Sequence, residues 1–186
     1  MKLVAATSNP HKLREIAQIL SDFEVVSQRE AGFHGEVEET GKTFLENAIL
    51  KARAATEATG LPALGDDSGL SVDALGGAPG VYSARYSGGG DAENRALLLK
   101  NLQGVENRNA HFCCAVALAF PDGRLLTAEG RTYGTILHES RGNGGFGYDP
   151  LFLSDDLNVS FAEASEEQKN AVSHRGRALK RLAEQL

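Results

Sequence analysis

The stretch Leu64-Gly65-Asp66-Asp67-Ser68-Gly69-Leu70 combines the end of an apolar segment with two adjacent carboxylates. Residues 61–64 predict the end of a buried strand. Because successive strand residues point to opposite faces, we expect Asp66 and Asp67 to have different roles, one in a cleft and one in the turn that follows. Carboxylates at such a position suit Mg²⁺. The alternative is an Asx-type turn, in which these side chains bind local backbone N–H groups.

The composition is that of an ordinary globular protein. The chain has 186 residues, of which 41% are hydrophobic and 24% are charged. That length suits one domain or two closely joined lobes. The formal net charge of -6 argues against duplex DNA or RNA as the main partner, because non-specific affinity depends on Lys and Arg neutralising phosphates. A small polyanion could still bind in a local basic pocket.

The cysteines and the N-terminal segment predict a cytoplasmic protein. Cys113 and Cys114 are adjacent within an apolar run, which fits neither a disulfide framework nor metal-ligand spacing. The apolar run at residues 3–6 is too short for a signal peptide. No segment approaches the roughly 20 apolar residues that a membrane span needs. We therefore expect a reducing, cytoplasmic setting and no membrane partner.

The first predicted strand and helix form a candidate anion site. Residues 2–6 predict a strand, and Thr7-Ser8-Asn9-Pro10 signals a turn into a helix at residues 11–20. The backbone N–H groups and the positive end of the helix dipole would meet an anion at this junction. A lysine in the first turn, such as Lys12, is unfavourable beside the positive end of the helix dipole unless an anion lies nearby. Phosphate is therefore a reasonable ligand. The alternative is a surface lysine on a well-capped helix.

Strands and helices alternate along the rest of the chain, which predicts an α/β fold with a central mixed sheet. Further strands are predicted at residues 23–27, 110–120, 125–131, 133–137 and 151–153, and helices at residues 43–59, 92–102, 166–172 and 175–186. A hairpin turn at residues 121–123 means that the sheet is not purely parallel. The acidic cluster Glu36, Glu38 and Glu39 is a solvated loop unless one of its members reaches Asp67.

A second glycine-rich loop, Gly142-Asn143-Gly144-Gly145-Phe146-Gly147-Tyr148-Asp149-Pro150, carries two aromatic residues. Its glycine spacing resembles a dinucleotide-binding loop only superficially, because no helix follows and Pro150 leads into an apolar strand. The rings of Phe146 and Tyr148 either fold back into the core or stack on a base.

Five motifs in order resemble the inosine/xanthosine triphosphate pyrophosphatase family. They are Thr7-Ser8-Asn9-Pro10-His11-Lys12, Glu38-Glu39-Thr40-Gly41 with Phe44 and Glu46-Asn47-Ala48, Asp66-Asp67-Ser68-Gly69, Gly144-Gly145-Phe146-Gly147-Tyr148-Asp149, and Ser173-His174-Arg175. The resemblance covers nearly the whole chain. Two departures are Ser8, where glycine is common, and Gln168, where an acid is common before Lys169.

The resemblance implies an elongated two-lobed fold with an active site in the cleft between lobes, as a single pyrophosphatase domain over residues 1–186. It also implies a homodimer and Mg²⁺-dependent hydrolysis of ITP, dITP and XTP to the monophosphate and pyrophosphate. Residues 7–12 would hold the triphosphate, Glu38 and Asp67 would bind Mg²⁺, and Asp67 would also act as general base. Ser68 would contact the substrate. The nucleotide, largely its base, would be held by Phe146, Gly147, Tyr148, Asp149, Lys169, His174 and Arg175.

Phosphoryl chemistry agrees with these residue types, because it needs positioned charge more than a covalent nucleophile. Two other classes stay open. A broad nucleotide phosphatase would release phosphate instead of pyrophosphate, and a nucleotide sensor would bind without turnover. Basic residues in the last predicted helix could suggest RNA binding, but Glu184 and the acidic chain favour a solvated face.

Overall fold

Six strands form one mixed sheet in the computed structural model, which describes residues 1–186. They are β1 (Lys2–Ala5), β2 (Glu24–Ser27), β3 (Ala63–Val72), β4 (Asn109–Ala119), β5 (Leu125–Ile136) and β6 (Phe152–Ser154). The order across the sheet is β2-β1-β3-β4-β5-β6. Strand β1 is parallel to both β2 and β3, whereas β5 and β6 are antiparallel. The predicted α/β fold with a central mixed sheet is therefore confirmed.

Five α-helices accompany the sheet: α1 (Pro10–Ile19), α2 (Phe44–Thr59), α3 (Asp91–Asn101), α4 (Glu166–Val172) and α5 (His174–Ala183). Polar caps explain where α1, α2 and α4 begin. The side chains of Asn9, Thr43 and Ser165 each accept backbone N–H groups of the first turn, which otherwise lack partners. Gln168 completes a capping box on α4 by accepting the N–H of Ser165, so this departure from the family pattern serves the helix start. None of these helices is long and apolar enough to cross a membrane.

The chain divides into two compact units, each built from separate segments. The first unit comprises Met1–Asp67, Cys114–Gly130 and Arg175–Leu186, and the second comprises Ser68–Cys113 and Arg131–His174. In the first unit, residues from β1, α1 and α5, among them Leu3, Ile16 and Leu179, share one apolar core. In the second, Phe112 and Phe152 belong to the core. That residues 1–186 form one functional domain stays a prediction.

Two local predictions are wrong. The Asp66-Asp67-Ser68-Gly69 segment is not a turn at a strand end, because β3 continues through it to Val72. Residues 125–136 form the single strand β5 instead of two strands. Close packing shows why a glycine precedes the acidic pair: a Cβ on Gly65 would collide with the carbonyl oxygen of Ala48 in α2.

Candidate active site

Asp66 lies at the centre of a buried polar cluster in the first unit. Its carboxylate lies 2.9 Å from Nε of Arg175 and 2.7 Å from Nζ of Lys12, and it accepts a hydrogen bond from Sγ of Cys114 at 3.0 Å. Burial alone would raise the pKa of Asp66, but the charges of Arg175 and Lys12 outweigh it and hold the pKa well below its usual range. Asp66 is therefore a carboxylate at neutral pH.

Arg175 is completely buried and pairs with two carboxylates. Its Nη1 bonds Glu15 of α1, while Nε and Nη2 face the two carboxylate oxygens of Asp66. Although burial lowers the pKa of this guanidinium, the negative charges of Asp66 and Glu15 raise it above its ordinary value. Contact of Arg175 with a base stays a prediction. Its ion pairs favour another role, in which the arginine braces the two acids.

Asp67 faces a different set of partners, as the strand alternation predicts. Its Oδ2 accepts a hydrogen bond from Nδ2 of Asn47 at 3.1 Å, and its Oδ1 lies 3.7 Å from Nζ of Lys51. The same lysine lies 3.1 Å from Glu39. Burial is the largest cause that raises the pKa of Asp67; Lys51, Lys12 and Asn47 oppose the shift, while Glu39 adds to it. A carboxylate whose pKa is raised in this way is suited to accepting a proton.

The acidic loop before α2 is tied to this second set through Asn47. Its Oδ1 accepts the N–H of Gly41 at 2.7 Å, while its Nδ2 donates to Asp67. Glu39, rather than Glu38, provides the carboxylate on Lys51. Glu38 is exposed, and its carbonyl accepts the N–H of Thr40. Its role as a metal ligand stays a prediction, and Glu39 becomes a second candidate. No three or more His, Cys, Asp and Glu side chains gather into a metal-binding group.

The predicted phosphate segment is a capped helix start. Oγ1 of Thr7 accepts the N–H of Asn9, and Oδ1 of Asn9 accepts those of His11 and Lys12. An anion at these two N–H groups would therefore compete with Asn9. The Lys12 side chain is 15% exposed, and its ammonium is the positive group of this segment that faces Asp66. Phosphate binding by residues 7–12 stays a prediction.

Lys169 and Asp149 form a buried ion pair in the second unit. Their Nζ and Oδ2 atoms are 2.7 Å apart. The same carboxylate accepts the N–H of Phe146 at 3.0 Å, and Nζ of Lys169 lies 4.7 Å from the centre of the Phe146 ring. The ion pair thus joins the glycine-rich loop to α4. Gly145 permits this arrangement, because a Cβ there would collide with the Asp149 carboxylate.

The other predicted nucleotide residues have more varied surroundings. The ring of Tyr148 is buried in the core, and its hydroxyl donates to the carbonyl of Ser83 at 2.7 Å, so the packing alternative describes it. Burial raises its pKa. The ring of His174 stacks on Phe112, with 4.7 Å between ring centres. Ser68 is half-buried on β3. Substrate contacts by Tyr148, His174 and Ser68 stay predictions.

Sequence reasoning missed three residues of these two sets: Glu15 and Cys114 in the Asp66 cluster, and Lys51 beside Asp67. Lys51 follows Asn47 by four residues and Glu15 follows Lys12 by three, so helical spacing placed each on the face of a residue already singled out. Cys114 carried no such signal, because an adjacent cysteine pair in an apolar run is typical of a core strand.

Known proteins resemble the chain over nearly its full length. A model of the Ham1 family matches residues 3–185. The dITP/XTP pyrophosphatase of Desulforamulus reducens is 54% identical over 99% of this chain and 94% of its own length, and that of Geobacter sulfurreducens is 54% identical over 100% and 96%. The solved structure of the Staphylococcus aureus Ham1 protein superposes with a TM-score of 0.87 at 40% identity, covering 98% of this chain and 96% of that one. By sequence and by fold, the chain belongs to the Ham1 family.

Proposed function

We propose that the protein hydrolyses the non-standard purine nucleoside triphosphates ITP, dITP and XTP to the monophosphate and pyrophosphate. The relatives named dITP/XTP pyrophosphatase support the substrate class. The observation that carries the chemistry is the pair of adjacent buried acids on β3. Asp66 is held ionised by two cations, whereas burial raises the pKa of Asp67. Two carboxylates whose surroundings shift their pKa values in opposite directions typically have different roles in catalysis.

Asp67 acts in this proposal as the general base. It accepts a proton from the water that attacks the phosphoanhydride, the bond between the α- and β-phosphates breaks, and pyrophosphate leaves with the electron pair. Asn47 orients the acceptor through its hydrogen bond to Oδ2. Lys51 and Lys12 supply positive charge for the phosphates, and residues 7–12 hold the triphosphate.

The donor set around Asp67 fits Mg²⁺. This ion is usually held by one or two carboxylates together with water and substrate phosphates, and does not need a cage of many protein ligands. Asp67 and Glu39 supply two carboxylates that share Lys51, and Glu38 is the neighbouring candidate. When bound, the ion would neutralise charge on the phosphates and lower the pKa of a bound water.

In this proposal the glycine-rich loop and α4 hold the base. Phe146 provides an aromatic face, and the backbone of residues 146–149 provides polar groups along the base edge. Lys169 is a donor-only side chain that Asp149 holds in place, so it is suited to the oxygen at position 6 of hypoxanthine or xanthine and not to the amino group of adenine. His174 and Ser68 complete the substrate contacts, while Arg175 acts through Asp66.

We also propose that the protein is a cytoplasmic homodimer that binds neither nucleic acid nor membranes. The family resemblance supports the dimer. Two buried cysteines without a disulfide suit a reducing compartment, and the net charge of -6 disfavours polyanionic nucleic acid. Light scattering on the eluted protein would measure the oligomeric state, and a monomeric mass would contradict the dimer.

Product analysis tests the proposed reaction. The protein is incubated with ITP, XTP, GTP and ATP in the presence of Mg²⁺, and the products are separated by ion exchange. We expect inosine or xanthosine monophosphate with an equimolar amount of pyrophosphate, and much slower turnover of GTP and ATP. Release of orthophosphate instead would indicate a phosphatase, and binding without turnover would indicate a sensor. Asp67→Asn is the matched control, since it keeps the size of the side chain and removes the base.

A further inference from the structure

Helix α3 binds both backbone polar groups of Gly147 in the glycine-rich loop. The N–H of Gly147 donates to Oδ2 of Asp91 at 2.9 Å, and the carbonyl of Gly147 accepts from Nη1 of Arg95 at 2.8 Å. Asp91 and Arg95 are four residues apart, so they lie on the same face of the helix. Both bonds are charge-assisted, which makes them stronger than bonds between neutral groups.

The glycine-rich loop depends on contacts with other elements to keep its conformation. Residues 141–148 belong to no strand or helix. Gly145 and Gly147 have φ of +66° and +61°, values that side-chain-bearing residues rarely adopt, and glycine leaves the backbone many alternative conformations. Before Gly147, the N–H of Gly144 donates to the carbonyl of Ala162 at 2.9 Å, and the carbonyl of Arg141 accepts from the hydroxyl of Ser160. Just beyond Gly147, the hydroxyl of Tyr148 donates to Ser83 and the carboxylate of Asp149 pairs with Lys169.

A third residue on α3 secures the Tyr148 anchor. Nδ2 of Asn94 donates to the carbonyls of Ser83 and Ala84, at 3.4 Å and 3.1 Å, and the Tyr148 hydroxyl donates to the same Ser83 carbonyl. The first turns of α3 therefore act on the loop directly through Gly147 and indirectly through Ser83. The two direct contacts are long-range in sequence, at separations of 56 and 52 residues.

We propose that Asp91 and Arg95 are positioning residues for base recognition. They fix the peptide groups on either side of Gly147 and thereby hold the ring of Phe146 and the carboxylate of Asp149 in the arrangement that receives the purine. This inference rests on the proposed function, since it assigns the loop to the base. Neither residue needs to touch the substrate, so their loss weakens contacts to the base and leaves contacts to the phosphates intact.

Four variants separate hydrogen bonding from other effects. Asp91→Ala removes the acceptor, whereas Asp91→Asn keeps an acceptor oxygen and removes only the charge at the helix start. Arg95→Ala and Arg95→Lys make the corresponding comparison on the other side of Gly147. Lys100→Ala removes an exposed charge from the same helix and is the control. For the alanine variants we expect KM for ITP to rise about 5–10-fold with little change in kcat. This is the range expected for losing one ordinary hydrogen bond, because exposure to solvent weakens the charge-assisted contacts.

Two further measurements distinguish positioning from general damage. The inhibition constant of bare tripolyphosphate should stay within about twofold of the wild type, because the phosphates meet other residues. Hydrogen exchange at the Gly147 amide, followed by NMR, should accelerate at least about tenfold in Asp91→Ala and remain protected in Asp91→Asn. Asp91→Asn and Arg95→Lys should also recover most of the affinity for ITP.

Several results would overturn the proposal. Equal losses for ITP and tripolyphosphate would show a structural role, and an unchanged KM in both alanine variants would show that the contacts do not matter for the base. A loss in Asp91→Asn as large as that in Asp91→Ala would point to the helix dipole instead. If the wild type releases no pyrophosphate from ITP, the proposed function is refuted, and this result does not by itself decide the positioning role. The positioning role is then decided by amide exchange and by calorimetric binding of inosine monophosphate.

Discussion

Replacing Arg175 by alanine would remove the fully buried cation of the Asp66 cluster. Asp66 is 1% exposed and Glu15 is 9% exposed, so two carboxylates would lose their main partner, and Asp66 would keep the ammonium of Lys12 and the thiol of Cys114. Breaking a buried ion pair by removing one side costs about 3–5 kcal/mol, because the other charge stays desolvated. For a chain of this size, each kcal/mol lowers Tm by about 2–4 °C, so we expect Tm to fall by roughly 6–20 °C.

Calorimetry measures the loss of stability in Arg175→Ala, and substrate kinetics measure its effect on ITP and ATP hydrolysis. Lys180→Ala is the matched control, since it removes an exposed charge from the same helix. In the double variant Arg175→Met with Asp66→Asn, part of the lost stability should return, because one buried carboxylate no longer needs a cation. Since the guanidinium bonds Asp66 and Glu15, Arg175→Ala should reduce ITP and ATP hydrolysis in similar proportion. A loss of stability below about 1 kcal/mol, together with a narrowed ITP-to-ATP ratio, would refute this reasoning and place Arg175 on the base.

Acid unfolding gives a second view of the same cluster. The pKa of Asp66 is lower in the folded protein than in the unfolded chain, so its contribution to stability is present above about pH 4 and is lost as the pH falls further. The wild type should therefore lose free energy of unfolding below about pH 4. In Arg175→Ala the pH dependence in that range should be shallower, because the main cause of the lowered pKa of Asp66 is gone. An equally steep dependence in the variant would contradict the assignment.

Three other predictions concern the reaction. Asp67→Asn should lower kcat at least about 10²-fold while leaving the protein folded, which circular dichroism and ITP turnover would check. In the pH profile of kcat/KM, the acidic limb should lie at a higher pH than the usual titration range of an aspartate. Lys51→Ala should move this limb to higher pH and Glu39→Gln should move it to lower pH, because the two charges shift the pKa of Asp67 in opposite directions. Shifts of the same sign would exclude Asp67 as the titrating base. Phe146→Ala should weaken ITP binding by about 1–3 kcal/mol without affecting bare tripolyphosphate, and equal losses for both ligands would refute base stacking.

Local patterns predicted the elements around the site but not the partners of its charges. The period of a strand correctly separated Asp66 from Asp67. The turn predicted at the same residues was wrong because the tertiary context overrides the low strand propensity of aspartate. Here Arg175, Lys12 and Lys51 compensate the charges of the two acids. Asp66 and Arg175 are separated by 109 residues, so no local pattern could pair them.

The same limit applies to the glycine-rich loop. Its aromatic residues and glycines were visible in the sequence, but the opposite surroundings of Phe146 and Tyr148 depend on Lys169 and Ser83, which lie in distant segments. The pairing of Gly147 with α3 was equally hidden, since a helix surface that carries Asp91 and Arg95 is typical of a solvated face.

The pairing of Arg175 with Asp66 and Glu15 also sets an order of events during synthesis. The two acids leave the ribosome 109 and 160 residues before the arginine that neutralises them. At about 5–20 residues per second, the nascent chain carries them for roughly 5–30 s without their main cation. Burying them early would cost several kcal/mol, so the core shared by α1 and α5 is expected to close only after α5 is made. A nascent chain that stalls before Arg175 should therefore remain sensitive to proteases, and quality control would remove it before a partly active enzyme could accumulate.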